Sequence, residues 1–328
     1  MDKVFTNRAD LCDVADRWSV SLQAAQLRAV LAQAAARATR TGQATPASLV
    51  LSVPASDPLR ILRAFQRLYA GQCLYWEQPS RQMALVGAGA ALNLETHGAA
   101  RFDEAALAVH VLRSEAVIAY DSVFTEPVTH GPVLFGGFRF DPLSTHTPLW
   151  RDFPAGLLIL PTLLFRQQHQ QTTLTLSQLV RATDDLDRLS NSLSMQVTTL
   201  SQLVQSQPDF STPTDQESQG YRVHNVCSEK DWRNLVAGTV RAIQQGEFAK
   251  IVLARAAQVA ANEQPFTLTA TLQRLRQSYP AANVFAFQRG TRAFLGATPE
   301  RLLHAQGGQL HTVALAGSAP RGENEAED

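Results

Sequence analysis

Residues 283–296 are NVFAFQRGTRAFLG, two short apolar segments separated by the turn dipeptide Arg289-Gly290. The Phe, Val and Leu content of the segments predicts strands over 283–288 and 291–296. Strands joined by so short a turn pair antiparallel, because parallel strands need a crossover of a dozen or more residues. This stretch therefore favours an α+β fold over a doubly wound parallel sheet.

The sequence on either side of this hairpin continues the same pattern. Residues 301–304 and 310–316 are further predicted strands, joined by a turn at Gly307-Gly308. On the N-terminal side, recurring leucines predict a helix over 267–279, and the continuous apolar run predicts a strand over 249–260. The alternation of helices with antiparallel strands again indicates a layered α+β architecture.

One polar segment divides the chain. Residues 206–220 contain two prolines and few apolar side chains, so we predict a linker there. Residues 1–205 before it form a region of mixed α and β character, in which Asp57-Pro58 opens an amphipathic helix. Residues 221–328 form a second region that holds the hairpin described above.

The composition excludes several classes of protein. The chain has 328 residues, with 29 basic and 29 acidic side chains, so its formal net charge is zero. A hydrophobic fraction of 45% and a charged fraction of 18% exclude collagen-like, coiled-coil and wholly disordered chains. A neutral chain also offers no general electrostatic attraction to nucleic acid or to an anionic membrane.

Cysteine spacing and the terminal sequence suggest the compartment. Cys12, Cys73 and Cys227 are far apart and form no C-x-x-C pair, so we expect neither a disulfide framework nor a zinc site. The N-terminus lacks the apolar core of a signal peptide. The longest apolar stretch, 155–165, is interrupted by Pro161 and is too short to span a bilayer. We therefore expect a cytoplasmic protein without a membrane segment.

Lysine is rare in this chain, which makes each lysine informative. It occurs only at Lys3, Lys230 and Lys250, while arginine supplies every other cation. Lys250 lies in FAKIVLAR, residues 248–255, beside an apolar run. A desolvated lysine can lose its proton and act as a base, whereas arginine cannot. Lys250 is therefore a candidate base.

Two further segments could supply an acid and an anion site. Glu300 follows Thr298-Pro299 in GATPERL, and Gly317 and Ser318 offer backbone N–H groups and a hydroxyl at a predicted strand end. Lys250 and Glu300 could form a base and acid pair. The same residues could equally be a structural salt bridge or two solvated side chains, and composition alone does not decide between these readings.

Three motifs taken together resemble the chorismate-utilising enzyme family. They are F-x-K-x-V-L-x-R at 248–255, G-A-T-P-E-R-L at 296–302 and A-L-A-G-S-A-P-R-G at 314–322. A weaker likeness runs from Phe135-Gly-Gly-Phe to Leu160-Pro161. The resemblance implies large antiparallel sheets packed face to face with helices outside, incomplete at the C-terminus. It also implies that 1–205 is the N-terminal region and 221–328 the first part of a chorismate-binding catalytic domain.

The resemblance also implies an activity. Ammonia-using members of the family carry glutamine at the place of Lys250, and aminodeoxychorismate synthases carry a lysine at the place of Ala316. Both differences favour a water-adding isochorismate synthase, with Lys250 as base, Glu300 as acid, and Ala316, Gly317 and Ser318 binding substrate. Menaquinone biosynthesis is the implied pathway. Salicylate synthase, a siderophore-pathway isochorismate synthase and a non-catalytic chorismate-binding fragment are the alternatives.

The family's ligands follow from the same resemblance. The substrate is chorismate, the cofactor is Mg²⁺, and no glutaminase subunit is expected. The family's metal-binding glutamates lie beyond Asp328, so no residue of this chain is assigned as a Mg²⁺ ligand. The acidic cluster over 323–328 is expected to be the solvated start of a further helix.

Overall fold

A computed structural model describes residues 23–122, 124, 131–141, 148–169, 171–206, 220–262 and 265–314. The contacts divide the chain into two compact units. The first comprises 1–209 and 271–328, and the second comprises 210–270.

Six helices occur in the described part of the chain. They are α1 (Gln23–Thr41), α2 (Pro58–Leu68), α3 (Arg101–Glu115), α4 (Leu186–Ser206), α5 (Glu229–Gln244) and α6 (Leu268–Ser278). Helix α2 begins where the sequence predicts, because Asp57 accepts a hydrogen bond from the Leu59 N–H at 2.7 Å and Pro58 occupies the first helical position. Its apolar side chains Leu59, Leu62 and Phe65 are fully buried.

Fifteen strands occur in the same residues. They are β1 (Thr45–Ser52), β2 (Cys73–Gln78), β3 (Met83–Ala88), β4 (Leu92–Thr96), β5 (Val117–Tyr120), β6 (Phe135–Phe138), β7 (Gly156–Leu160), β8 (Leu163–Gln168), β9 (Gln171–Val180), β10 (Tyr221–Asn225), β11 (Ala257–Ala261), β12 (Asn283–Arg289), β13 (Arg292–Thr298), β14 (His304–Gln306) and β15 (Gln309–His311).

The first unit is built on an eight-stranded sheet with the order β13-β12-β2-β3-β8-β9-β1-β5. Every neighbouring pair is antiparallel except β1 and β5, which are parallel. A three-stranded sheet, β4-β7-β6, packs against it through the buried side chains Leu74, Leu157 and Ile159. The prediction of an α+β fold with antiparallel sheets packed face to face is confirmed.

The two faces of the large sheet carry different partners. On β2, Leu74 faces the small sheet, and the alternation of side chains along a strand sends Tyr75 to the opposite face. That face is covered by helices, since α1 contacts β1 and β9 while α2 contacts β2 and β3. Helix α4 packs on α1 and α2 and buries a stripe of apolar side chains that includes Leu193, Val197 and Leu200.

The second unit contains the antiparallel pair β10–β11 and helix α5. Ser228 caps this helix, because its Oγ accepts a hydrogen bond from the Asp231 N–H at 3.1 Å. No residue of α5 is buried, and both Leu235 and Val240 remain exposed. The described part of this unit therefore has an apolar helix face without a buried core beneath it.

The unit boundaries differ from the predicted division at 205 and 220. Residues 283–289 form β12, which pairs with β2 near the N-terminus of the chain, with Phe285 opposite Trp76. The C-terminal hairpin is therefore part of the first unit rather than of a separate region. Residues 207–219 of the predicted linker lie outside the described residues.

Candidate active site

Glu300 lies two residues beyond β13, which is an edge strand of the large sheet. Its backbone N–H donates a hydrogen bond to Thr298 Oγ1 at 3.1 Å. Pro299 restricts Thr298 to an extended conformation, and Thr298 is itself paired with Asn283 of β12. The backbone of Glu300 is therefore held by the sheet, while its side chain is exposed to solvent.

Four side chains form a hydrogen-bonded and ionic cluster beside this hairpin. We call it the Arg276 network, and its members are Asp57, Tyr75, Glu77 and Arg276. The guanidinium of Arg276 donates to both carboxylate oxygens of Asp57, at 3.2 and 3.0 Å. Its Nη1 lies 3.6 Å from Glu77 Oε1, and the Tyr75 hydroxyl donates to Glu77 Oε2 at 2.5 Å. One guanidinium thus binds a strand residue and the residue that caps α2.

The network lies just before the hairpin β12–β13 in the chain. Arg276 belongs to α6, and four residues separate the end of this helix from the start of β12 at Asn283. A second tie lies in this connection, where the Ser80 N–H donates to the Pro280 carbonyl at 3.0 Å. Helix α6 is therefore fixed to β2 just before the chain enters the hairpin that ends near Glu300.

Burial shifts the pKa values of this network. Burial raises the pKa of the Glu77 carboxyl above its ordinary value, although the Tyr75 hydroxyl and Arg276 oppose the shift. Burial also raises the pKa of the Tyr75 hydroxyl well above normal. For Arg276, burial lowers the pKa, but the hydrogen bond and charge of Asp57 outweigh it and the net shift is upward. Arg276 therefore stays cationic beside two acidic side chains.

A cavity of about 640 Å³ lies between the small sheet and the β12–β13 end of the large sheet. Its walls are aromatic and include Trp76, Phe138, Trp150 and Phe294. Arg139 is the one charged side chain among the described residues that line it. Glu300 is not part of its lining. A largely apolar cavity with a single cation does not suit a dicarboxylate such as chorismate, so we do not assign the substrate to it.

Lys250 lies in the second unit, in the segment between α5 and β11. The predicted strand over 249–260 forms only over Ala257–Ala261, and its ladder starts where the Val226 N–H donates to the Ala256 carbonyl at 3.0 Å. Residues 250–256 have no regular structure. Lys250 is exposed, and its neighbour Val252 is 89% exposed. The apolar run therefore does not desolvate Lys250 in the described structure.

The predicted site residues are thus in different parts of the molecule. Lys250 belongs to the second unit and Glu300 to the first, so their pairing as base and acid stays a prediction. The predicted substrate-binding residues Ala316, Gly317 and Ser318 lie outside the described residues, as does the acidic cluster 323–328.

The described residues contain no group of three or more His, Cys, Asp or Glu side chains that could hold a metal ion. None of their helices combines the length and the apolar character needed to cross a bilayer.

Sequence reasoning missed the Arg276 network and the aromatic cavity. Part of the network follows from strand geometry, since Tyr75 and Glu77 share one face of β2 and an acid on a buried face needs a partner. The distant partner, Arg276, was not readable from local sequence. The cavity joins residues of two sheets that are far apart in the chain, which periodicity alone does not reveal.

The sequence profile of the family described as "Chorismate binding enzyme" matches residues 31–328. The chain belongs to this family. The resemblance drawn from the three motifs is therefore confirmed. Because the match begins at residue 31, most of the N-terminal α+β region belongs to the family as well.

Curated family members show how much of a full-length chain is present. The salicylate biosynthesis isochorismate synthase of Pseudomonas aeruginosa is 30% identical over 273 residues, which are 83% of this chain and 53% of the relative. Isochorismate synthase MenF of Bacillus subtilis is 26% identical over 295 residues, 89% of this chain and 60% of the relative. The chain thus spans little more than half the length of these relatives.

A solved structure supports the fold. MenF of Escherichia coli, described as a menaquinone-specific isochorismate synthase, superimposes with a TM-score of 0.53 at 22% identity. The superposition covers 84% of this chain and 56% of that one. At this identity the likeness establishes the shared architecture of chorismate-binding enzymes.

Proposed function

We propose that this chain supplies the N-terminal and central part of an isochorismate synthase, an isomerase that converts chorismate to isochorismate. One observation carries the proposal. Two curated relatives named isochorismate synthase align with 83% and 89% of this chain. The family match, which runs from 31 to 328, includes the segments that hold Lys250 and Glu300.

The proposed reaction needs two separate side chains. Water adds at C2 of the cyclohexadiene ring, the double bonds shift, and the hydroxyl at C4 departs. The attacking and leaving oxygens are on different carbons, so one group cannot serve both. Lys250 takes the proton from the incoming water, and Glu300 protonates the departing hydroxyl. The lysine at 250 and the alanine at 316 favour water addition over amination.

The proposal sets a requirement on the protonation states. Lys250 must be neutral and Glu300 protonated at the moment of attack, and desolvation favours both states. Both side chains are exposed in the described residues. The proposal therefore requires that bound substrate, or further polypeptide, removes water from both. The relatives are long enough to contain such additional chain.

Mg²⁺, the substrate and the compartment belong to the proposal as well. Mg²⁺ would neutralise a substrate carboxylate, and no described residue is assigned to hold it. No glutaminase subunit is needed, because water and not ammonia is the nucleophile. The cytoplasmic location rests on the expectation from the sequence.

Two pathways are supported by the names of relatives. Menaquinone biosynthesis is favoured by the likeness to MenF of Bacillus subtilis. A role in supplying salicylate is the second candidate, favoured by the Pseudomonas aeruginosa relative. Both begin with the same isomerisation, so the roles proposed for Lys250 and Glu300 are unchanged between them.

The test is to incubate the protein with chorismate and Mg²⁺ and to separate the products chromatographically. Isochorismate alone supports the proposal, whereas salicylate with pyruvate shows a salicylate synthase. Chorismate binding without product shows a non-catalytic chorismate-binding fragment, and neither binding nor product refutes the proposal.

Variants then test the two residues. Lys250→Ala and Glu300→Gln should each lower turnover by about 10²–10⁴-fold, the usual contribution of general acid–base catalysis. Lys230→Ala and Glu247→Gln are matched controls, since both residues are exposed, and they should leave turnover unchanged. A near-normal rate in Lys250→Ala or Glu300→Gln would remove that residue from the mechanism.

A further inference from the structure

The hairpin β14–β15 places two histidines directly opposite each other. His304 pairs with His311 in the antiparallel register, and their ring centroids are 6.0 Å apart with planes inclined by 33°. The turn between the strands is Gly307-Gly308, with φ of +59° and +78°. Positive φ at both positions is the geometry of a tight two-residue hairpin turn, which fixes the register. The turn therefore holds the two rings side by side.

The histidines lie on the polar face of this hairpin. Directly opposite residues share a face, so His304 and His311 project with Gln306 and Gln309, which also pair with each other. The other face carries Leu310, which is 70% exposed. His311 is exposed and His304 is half-buried. No charged side chain lies among these four residues to compete for a ligand.

The base of the hairpin is held closed. Beyond His311, the Thr312 hydroxyl donates to the Leu302 carbonyl at 2.8 Å across the two strands. Strand separation at the histidines is therefore limited on one side by this hydrogen bond and on the other by the glycine turn. This arrangement reduces the conformational entropy that a ligand would have to remove to bring the two rings together.

The ring separation suits a bridging metal ion. A tetrahedral ion bound to two imidazole nitrogens at about 2.0–2.1 Å holds the ring centroids roughly 5–5.5 Å apart. The observed 6.0 Å exceeds this by less than about an ångström, a difference that small side-chain rotations remove. Imidazole suits Zn²⁺, Ni²⁺ and Cu²⁺, whereas Mg²⁺ prefers oxygen ligands.

We propose that His304 and His311 form a two-histidine chelating site for a borderline divalent cation of the Zn²⁺, Ni²⁺ and Cu²⁺ class. Among the described residues no third His, Cys, Asp or Glu side chain joins this pair in a candidate metal cluster, so water would complete the coordination in the proposed site. This site is separate from the Mg²⁺ requirement of the proposed reaction. A bound ion would cross-link β14 and β15. These strands lie in the part of the sequence between Glu300 and residues 316–318.

Titration of the protein with Ni²⁺ alone, followed by calorimetry, tests the site. Two ligands on one scaffold bind as a chelate, since the second contact is made at high effective concentration. His304→Ala and His311→Ala should therefore each weaken the Ni²⁺ affinity by about tenfold or more. The double variant should bind Ni²⁺ almost as well as the weaker of the two single variants, because either single change already removes the chelate.

His110→Ala is the matched control, because His110 is an exposed histidine on α3 and should not affect the titration. Electron paramagnetic resonance of bound Cu²⁺ gives a second readout that is independent of activity. Two coordinated imidazole nitrogens are expected in the wild-type protein and one in either single variant. Unchanged Ni²⁺ affinity in both variants, or a Cu²⁺ signal insensitive to them, overturns the proposal.

Discussion

Replacing Arg276 by methionine removes the cation of the Arg276 network while keeping much of the side-chain volume. The guanidinium is 17% exposed and Glu77 is 9% exposed, so the change leaves a buried carboxylate without its partner. Removing one partner of a buried ion pair costs about 3–5 kcal/mol. Asp57 is 35% exposed, and solvent replaces part of its interaction. We therefore expect Arg276→Met to lower the free energy of unfolding by about 2–4 kcal/mol.

The charge of Glu77 makes this loss dependent on pH. Because burial raises the pKa of Glu77 in the folded protein, the folded state binds its proton more tightly than the unfolded chain does. The contribution of Glu77 to folding stability is thus most favourable below pH 4.5, the pKa of the carboxyl in the unfolded chain. It declines as the pH rises through the higher pKa of the folded protein. Without Arg276 that pKa rises further. The destabilisation should therefore be larger at pH 8 than at pH 5.

Urea unfolding followed by circular dichroism at pH 5, 6, 7 and 8 measures these effects. The double variant Glu77→Gln/Arg276→Met should recover part of the stability at pH 8 and lose most of the pH dependence, because no buried carboxylate remains. Arg28→Met is the control, since Arg28 pairs with Asp187 at the exposed surface and should leave the midpoint unchanged. A loss below about 1 kcal/mol, or no recovery in the double variant, would refute this account of the network.

Two further predictions concern single sites in the first unit. Gly71→Ala should cost about 2 kcal/mol or more, because φ is +74° and a Cβ would lie 2.7 Å from the Gly290 carbonyl oxygen. Gly42→Ala, with φ of +69° and no atom within 4 Å, should cost only the backbone strain of about 1 kcal/mol, so equal shifts in melting temperature would contradict the close contact. Burial raises the pKa of the Cys73 thiol to about 12, so a thiol reagent at pH 8 should not modify it in the native protein. Cys73→Ser should leave the native thiol count unchanged, and a lower count would show that Cys73 is accessible.

Cap and turn residues in the sequence predicted the elements whose conformation is determined by neighbouring residues. Helix α2 follows from Asp57-Pro58 and the spacing of its leucines, and the structure confirms both the cap and the buried face. The hairpin β12–β13 follows from the turn at Arg289-Gly290, and the register pairs Arg289 with Arg292 across that turn. In each case the residues that determine the conformation are within a few positions of one another.

Elements that depend on distant partners were harder to predict. Helix α3 carries its large apolar residues on exposed positions, including Phe102 and Leu107, so no buried stripe marks it in the sequence. The run 249–260 is apolar enough for a strand, yet strand structure forms only where β10 provides a partner. Apolar content alone therefore overestimated the strand around Lys250.

In the candidate site too, features set by neighbouring residues were predicted and features set by distant residues were not. The motifs identified Glu300 and its turn, and the structure holds that turn at the end of β13. The sequence also places Lys250 beside an apolar run, but Val252 and Ile251 of that run are themselves exposed. Whether a segment is buried depends on the residues that pack over it, and those residues lie elsewhere in the sequence.

The sheet order links the candidate acid to residues more than two hundred positions earlier. Glu300 follows β13. Among the described strands β13 pairs with β12 alone, and β12 also pairs with β2. Strand β2 carries Glu77, which with Asp57 binds Arg276 at the end of α6. The placement of Glu300 is therefore set by contacts made with the N-terminal part of the chain. A boundary at 220 would separate β12 from its partner and leave an unpaired strand edge, so residues 221–328 alone lack the support that orients the proposed acid.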